Sequence, residues 1–202
     1  MQTSQIINNS KEIITDSLAF NVFHNNNAFR ENTDGKHIVL VLFEDPKHLK
    51  ETTLKLLQTF LKQSKCKSVI GFTENDPSLS ILATQASFNE NLPYYNYDLE
   101  HDKVAFSQFI EPEKVPCSLI IPYSINENHV LEVIDRFLQQ KVTITQVISI
   151  IDENLSKTTF SDQNFDFVSV CDWGSLKDRF SHYHNITNEK MDRLLTNFGQ
   201  NA

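Results

Sequence analysis

The stretch Cys117–Glu153, CSLIIPYSINENHVLEVIDRFLQQKVTITQVISIIDE, contains a complete strand, loop, helix and strand. Cys117–Ile121 is a short apolar run, and Pro122, which has no N–H to give to a sheet ladder, is expected to end it. Val130, Leu131, Ile134, Phe137 and Leu138 then recur at helical spacing. Asn128 is the expected N-cap, and Glu132 and Asp135 lie in the early turns, where the helix dipole favours carboxylates. Val142–Ile151, VTITQVISII, is a β-branched run suited to a second buried strand. A strand, an amphipathic helix and a strand in this order imply parallel pairing through a right-handed crossover. Ligands of such sheets collect beyond the carboxyl ends of the strands. The candidate ligand loop is therefore Ile121, Pro122, Tyr123, Ser124, Ile125, Asn126, Glu127, Asn128 and His129.

In its apolar order, helix phase and following strand, this stretch resembles the signature region of the type I phosphoribosyltransferases, and within them orotate phosphoribosyltransferase. The resemblance implies an α/β fold: a three-layer, Rossmann-like domain with a mostly parallel sheet flanked by helices and a small N-terminal hood. It also implies an acidic pair at the strand end that holds ribose hydroxyls, and a Thr- and Gly-containing loop that wraps a 5′-phosphate. Here Ile121 and Pro122 stand where the acids belong, or Pro122 and Tyr123 in a register shifted by one, and Ile125, Asn126, Glu127 and Asn128 replace the loop. A phosphate cradle needs small residues so that backbone N–H groups can approach closely. A carboxylate about 5 Å from a phosphate charge costs roughly 3 kcal/mol at an effective dielectric near 20, over a hundredfold in affinity.

The segment Val69–Gln85, VIGFTENDPSLSILATQ, resembles the family's strand, diphosphate loop and helix. Thr73, Glu74, Asn75 and Asp76 occupy the diphosphate-loop positions, with Asn75 and Asp76 where the family uses glycines. Leu92–Leu99, LPYYNYDL, matches the next strand, and Tyr97 and Asp98 replace its basic residues. The residues that the resemblance offers for the catalytic loop are His101 and Lys103. The expectation is a catalytically degenerate relative of orotate phosphoribosyltransferase, kept as a binding or regulatory module with no cofactor. Two alternatives stand beside it. One is an active transferase of pyrimidine nucleotide synthesis that uses phosphoribosyl pyrophosphate and Mg2+; the other is a structural or assembly protein with no small ligand. The resemblance further implies a homodimer, with Tyr94, Tyr95 and Phe106 at its interface.

Composition narrows the choices. The chain has 202 residues, 40% of them hydrophobic, enough for a substantial core. It has four glycines, Gly35, Gly71, Gly174 and Gly199, against the roughly fourteen that typical usage would give, which leaves none for a multi-glycine phosphate cradle. A net charge of −8 argues against nucleic acid as a partner. Cys66, Cys117 and Cys171 lie far apart within or beside apolar segments and are expected to be buried, reduced thiols. No stretch has the length and apolarity of a signal peptide or a membrane span, so a cytoplasmic protein without membrane contact is expected.

In chain order, one or two helices are expected over Ser4–Phe20 and a small hairpin over Asn21–Gly35, which sets a hood segment at 1–35 and a core with closing helices at 36–202. Lys36–Phe43, Cys66–Phe72, Cys117–Ile121 and Val142–Ile151 should give four neighbouring parallel strands through Val39, Val69, Leu119 and Ile148, with Leu119 central. Asp45-Pro46 starts the helix between the first two. Phe167–Cys171 is a last strand, and Leu176–Phe180 and Met191–Phe198 are closing helices. His182 and His184 read as an exposed loop pair rather than metal ligands, and no metal site is expected. A cation among the acids Glu74, Asp76 and Glu127, and a base stacked on Tyr94, Tyr95 and Tyr97, are the less favoured readings; the tyrosines are expected in core and dimer packing.

Overall fold

Helix α1 (Gln2–Asn25) runs without a break, because the first glycine is Gly35 and the first proline Pro46. It thus takes in the first part of the expected Asn21–Gly35 hairpin. The computed structural model describes residues 2–25, 29–31, 38–40, 47–72, 77–98, 103–105, 115–124, 127–152, 155 and 160–184. After α1, strands β1 (Phe29–Glu31) and β2 (Ile38–Leu40) pair antiparallel in a two-stranded sheet of their own. The rest of the order is α2 (Lys47–Gln63), β3 (Ser68–Gly71), α3 (Pro77–Asn89), β4 (Tyr94–Asp98), β5 (Lys103–Ala105), β6 (Pro116–Ser124), α4 (Glu127–Gln139), β7 (Thr143–Asp152), β8 (Asp166–Asp172) and α5 (Trp173–His184).

The main sheet has the order β5-β4-β3-β6-β7-β8. All its pairings are parallel except β4 with β5. Leu119 lies centrally as expected, between β3 and β7. Val39 does not join it. Both sides of β3 are already taken, by β4 and β6, so the run at Ile38–Leu40 closes locally on Phe29–Glu31 instead.

Helices cover the sheet unequally. On one face, Ile14 of α1, Leu56, Leu57 and Phe60 of α2, Leu79 and Leu82 of α3, and Leu176 of α5 pack on Val69, Ile120, Ile148 and Val170. On the other face, Val130, Val133, Ile134 and Phe137 of α4 meet Ile70, Leu119, Ile121 and Val147, joined by Phe160 and Phe167. Ladder pairing jumps from Cys117↔Ile144 to Ser118↔Gln146, which leaves Thr145 as the extra residue of a β-bulge. Because alternate residues face opposite sides, the bulge puts Ile144 on the α4 face and then Ile148 and Ile150 on the other.

Pro122 does not end β6, which continues to Ser124. Ile120 gives its carbonyl to the Phe72 N–H at 2.9 Å, so even-numbered residues of β6 turn their backbone toward β3. β3 stops opposite Ile120, and at Pro122 that side of the strand has no ladder partner for an N–H to serve. α3 and α4 close with the same motif. The Leu92 N–H reaches the Ser87 carbonyl and Asn91 N–H the Phe88 carbonyl; Val142 and Lys141 repeat this on Phe137 and Leu138, all at 2.9–3.0 Å. These are Schellman caps, with Asn91 (φ 55°) and Lys141 (φ 60°) in the left-handed position that glycine usually takes.

Candidate functional site

The carboxyl ends of β3, β6, β7 and β8 lie side by side at one edge of the sheet. Ile121, at the end of β6, is 1% exposed and belongs to the α4-side core. Pro122 is also buried, and Tyr123 pairs by its backbone with Ile151. Neither register puts a carboxylate there, so β6 itself offers no carboxylate to a Mg2+ ion. Ser124 is 1% exposed and its Oγ has no hydrogen-bond partner among the described residues. Ile125 and Asn126 lie outside the described residues. Glu127 and Asn128 are exposed in the first turn of α4, so Asn128 is inside the helix rather than its N-cap, and His129 follows in the same turn. The Glu127 carboxylate suits a helix N-terminus and competes there with any anion.

Thr73, Glu74, Asn75, Asp76 and His101 also lie outside the described residues. Lys103 does not sit in a loop: it opens β5, paired with Asp98. Tyr95 and Tyr97 are buried at 1% and 4% exposure. The Tyr97 ring packs on Phe72 at 4.9 Å and on Phe137 at 5.3 Å, which makes it a core residue. Burial raises the Tyr94 pKa, and its ring lies over Gly71, where an added Cβ would stand 2.9 Å from Tyr94 Cζ. His182 and His184 fall in α5 rather than a loop. No group of three or more metal-ligating side chains occurs among the described residues.

What the strand ends do assemble was not singled out from the motifs. Ser124 on β6 pairs with Asp152 on β7, and Asp152 with Asp172 on β8, in one register line. Asp152 is 2% exposed, and its Oδ1 accepts the Leu155 N–H at 2.6 Å. Burial pushes its pKa up; the Ser169 hydroxyl and the Leu155 N–H act against this, Asp172 adds to it and Lys11 of α1 opposes it. Asp172 caps α5 by accepting the Ser175 N–H at 2.6 Å. The usable signal was that two apolar strands each close on an aspartate, Ile150-Ile151-Asp152 and Val170-Cys171-Asp172. A separate open cleft of about 330 Å³ lies between α1, the end of α2 and β8, bordered by Lys11, Gln63, Val168 and Ser169.

The three thiols are free and buried, as expected. Burial raises Cys117, whose Sγ lies 2.9 Å from Ser68 Oγ, and pushes Cys171 up to about 12. Neither is a thiolate nucleophile at neutral pH. No helix among the described residues is long and apolar enough to cross a membrane.

No protein-family sequence model matches this chain, and no curated protein matches it by sequence. Solved structures do match. UMP synthase of Leishmania donovani superposes with a TM-score of 0.61 over 92% of this chain at 14% identity; this chain spans 42% of that protein. Orotate phosphoribosyltransferase of Aeropyrum pernix gives 0.55 over 81% of this chain and 99% of its own, at 13% identity. Adenine phosphoribosyltransferase of Leishmania tarentolae gives 0.52 over 69% and 77%, at 9% identity. With its mostly parallel sheet and the strand order found here, the chain has the α/β phosphoribosyltransferase fold.

Proposed function

We propose that this chain is a catalytically degenerate relative of orotate phosphoribosyltransferase, kept as a binding or regulatory module whose ligand sits at the carboxyl ends of β6 and β7. The observation that carries this is the end of β6. Ile121 and Pro122 are buried there without a carboxylate, where a phosphoribosyl transferase needs groups to hold ribose hydroxyls. Asp152 and Asp172 beside it, with Glu127 on α4, make the neighbourhood acidic and disfavour a phosphate. Ser124 Oγ, buried and without a bonded partner among the described residues, is a ready partner for an uncharged polar group.

Orotate consumption, measured with phosphoribosyl pyrophosphate and Mg2+ at high protein concentration, is expected to stay at background. The variants Glu127→Gly and Asp76→Gly, singly or together, are expected to remain silent, because neither restores the acidic pair. Turnover by the wild type would support an active transferase instead. Calorimetric titration with orotate, phosphoribosyl pyrophosphate and the product nucleotide separates the remaining readings: no heat with any of them would favour a structural protein.

A further inference from the structure

We infer that the cleft between α1, the end of α2 and β8 is a binding site for a small monocarboxylate with an apolar body. Its volume of about 330 Å³ lies within the range of small-molecule pockets. At about 30 Å³ for each water displaced, it takes a molecule of roughly ten non-hydrogen atoms. β8 is the last strand of the main sheet, and among the described residues no strand pairs with its outer side. Alternate residues of such a strand turn their backbone N–H and C=O groups outward. Phe167 belongs to the α4-side core and Val168 packs on the opposite one, yet both line the cleft, together with Ser169. Because successive side chains point to opposite faces, a cavity that touches all three reaches around that open edge.

The lining sets the chemistry of the ligand. Lys11 is the only charged residue among the described residues that border the cleft, in a chain of net charge −8, so the charged group it takes is an anion. A single negative charge is favoured over a phosphate. The same lysine also acts on the carboxyl of Asp152, whose partner Ser169 forms part of the wall. A second negative charge on the ligand would meet Asp152 and the net charge of the chain with no second cation in the lining. The floor is apolar: Phe60 and Phe167 are 2% and 3% exposed, and their rings suit a flat or branched hydrocarbon body. Asn8 of α1 and Gln63 of α2, both exposed at the rim, add uncharged donors to the one charge-assisted contact. Binding in this cleft is independent of what the strand ends hold.

Benzoate titrated into the 15N-labelled full chain at neutral pH, from about 0.1 to 50 mM, brackets the millimolar affinity that a ligand of about ten atoms can reach. Saturable amide shifts are expected at residues 4–11 and 167–169, with benzyl alcohol, the uncharged analogue, binding the same amides about fivefold more weakly, the usual scale of a half-exposed charge pair. Lys11→Gln should bring benzoate down to the level of the alcohol and leave the alcohol unchanged. Asn8→Trp, at an exposed position that leaves the core intact, fills the rim and should abolish binding of both, with thermal melts as the folding control. No saturable shift at these amides, shifts confined to residues 124 and 127–129 at the strand ends, or a Lys11→Gln variant that binds benzoate as the wild type does overturns the inference. Inorganic phosphate that binds these amides more tightly than benzoate overturns the choice of a monocarboxylate.

Discussion

Ser124 and Asp152 are neighbours across β6 and β7, and both are almost wholly buried. Asp152 is the less comfortable of the two. Burial raises its folded-state pKa above the ordinary 3.8, with Asp172 adding to the rise and Ser169, the Leu155 N–H and Lys11 opposing it. Below the unfolded value both states hold the proton and the carboxyl costs nothing. As pH climbs from there through the folded value, the folded state holds more protons than the unfolded one, so stability falls. Asp152→Asn keeps an oxygen for the Leu155 N–H and removes the titration. Its stability relative to wild type is expected to increase between about pH 4 and 7, read from urea midpoints at each pH; a constant or shrinking difference would show that Lys11 and the hydrogen bonds outweigh burial. Ser124 stands in the candidate loop read from the sequence, but as a loop residue; Asp152 was not found, because the motif positions drew attention to the loop while both residues lie at strand ends. Their proximity depends on β6 continuing past Pro122, which local propensity alone does not reveal.

The helices show the same division between what is local and what is not. α4 was legible from the spacing of Val130, Ile134 and Phe137, since a 3.6-residue repeat marks one buried side. The caps were hidden, because glycine is the usual marker and here Asn91 and Lys141 take its place. Lysine pays for that left-handed backbone more than asparagine does. Lys141 is exposed, so Lys141→Gly relieves the strain without removing a packed group. A gain of about 0.5–1 kcal/mol in unfolding free energy is expected, reduced somewhat by the greater freedom of glycine in the unfolded chain. Denaturant unfolding checks this, and a loss of stability would place an unseen contact on the Lys141 side chain. The run at Ile38–Leu40 was recognisable as a strand but not as a member of the small sheet, because three β-prone residues carry no information about which partner has an open edge.

Across the whole molecule, the parallel order around β6 was readable because each buried strand is followed or preceded by a helical repeat, and the unequal covering of the two faces was not. The net charge of −8 acts at this scale as self-repulsion. The melting temperature should therefore rise when salt is raised from about 20 to 300 mM at neutral pH, as the screening length shrinks from tens of ångströms to a few. An unchanged melt would mean that the charges are already paired locally. One contact has a consequence in time. Thr15 of α1 meets Cys171, 156 positions further along the chain, and the Asp16 carboxylate forms an ion pair with Arg179 at 3.2 Å. On a ribosome adding 5–20 residues per second, α1 emerges roughly 10–30 s before the strand and helix that receive it exist. Through that interval α1 has α2 to pack on but not the strand and helix that complete its site, and the nascent chain presents the uncovered part of its apolar side to whatever chaperone or neighbouring chain is at hand.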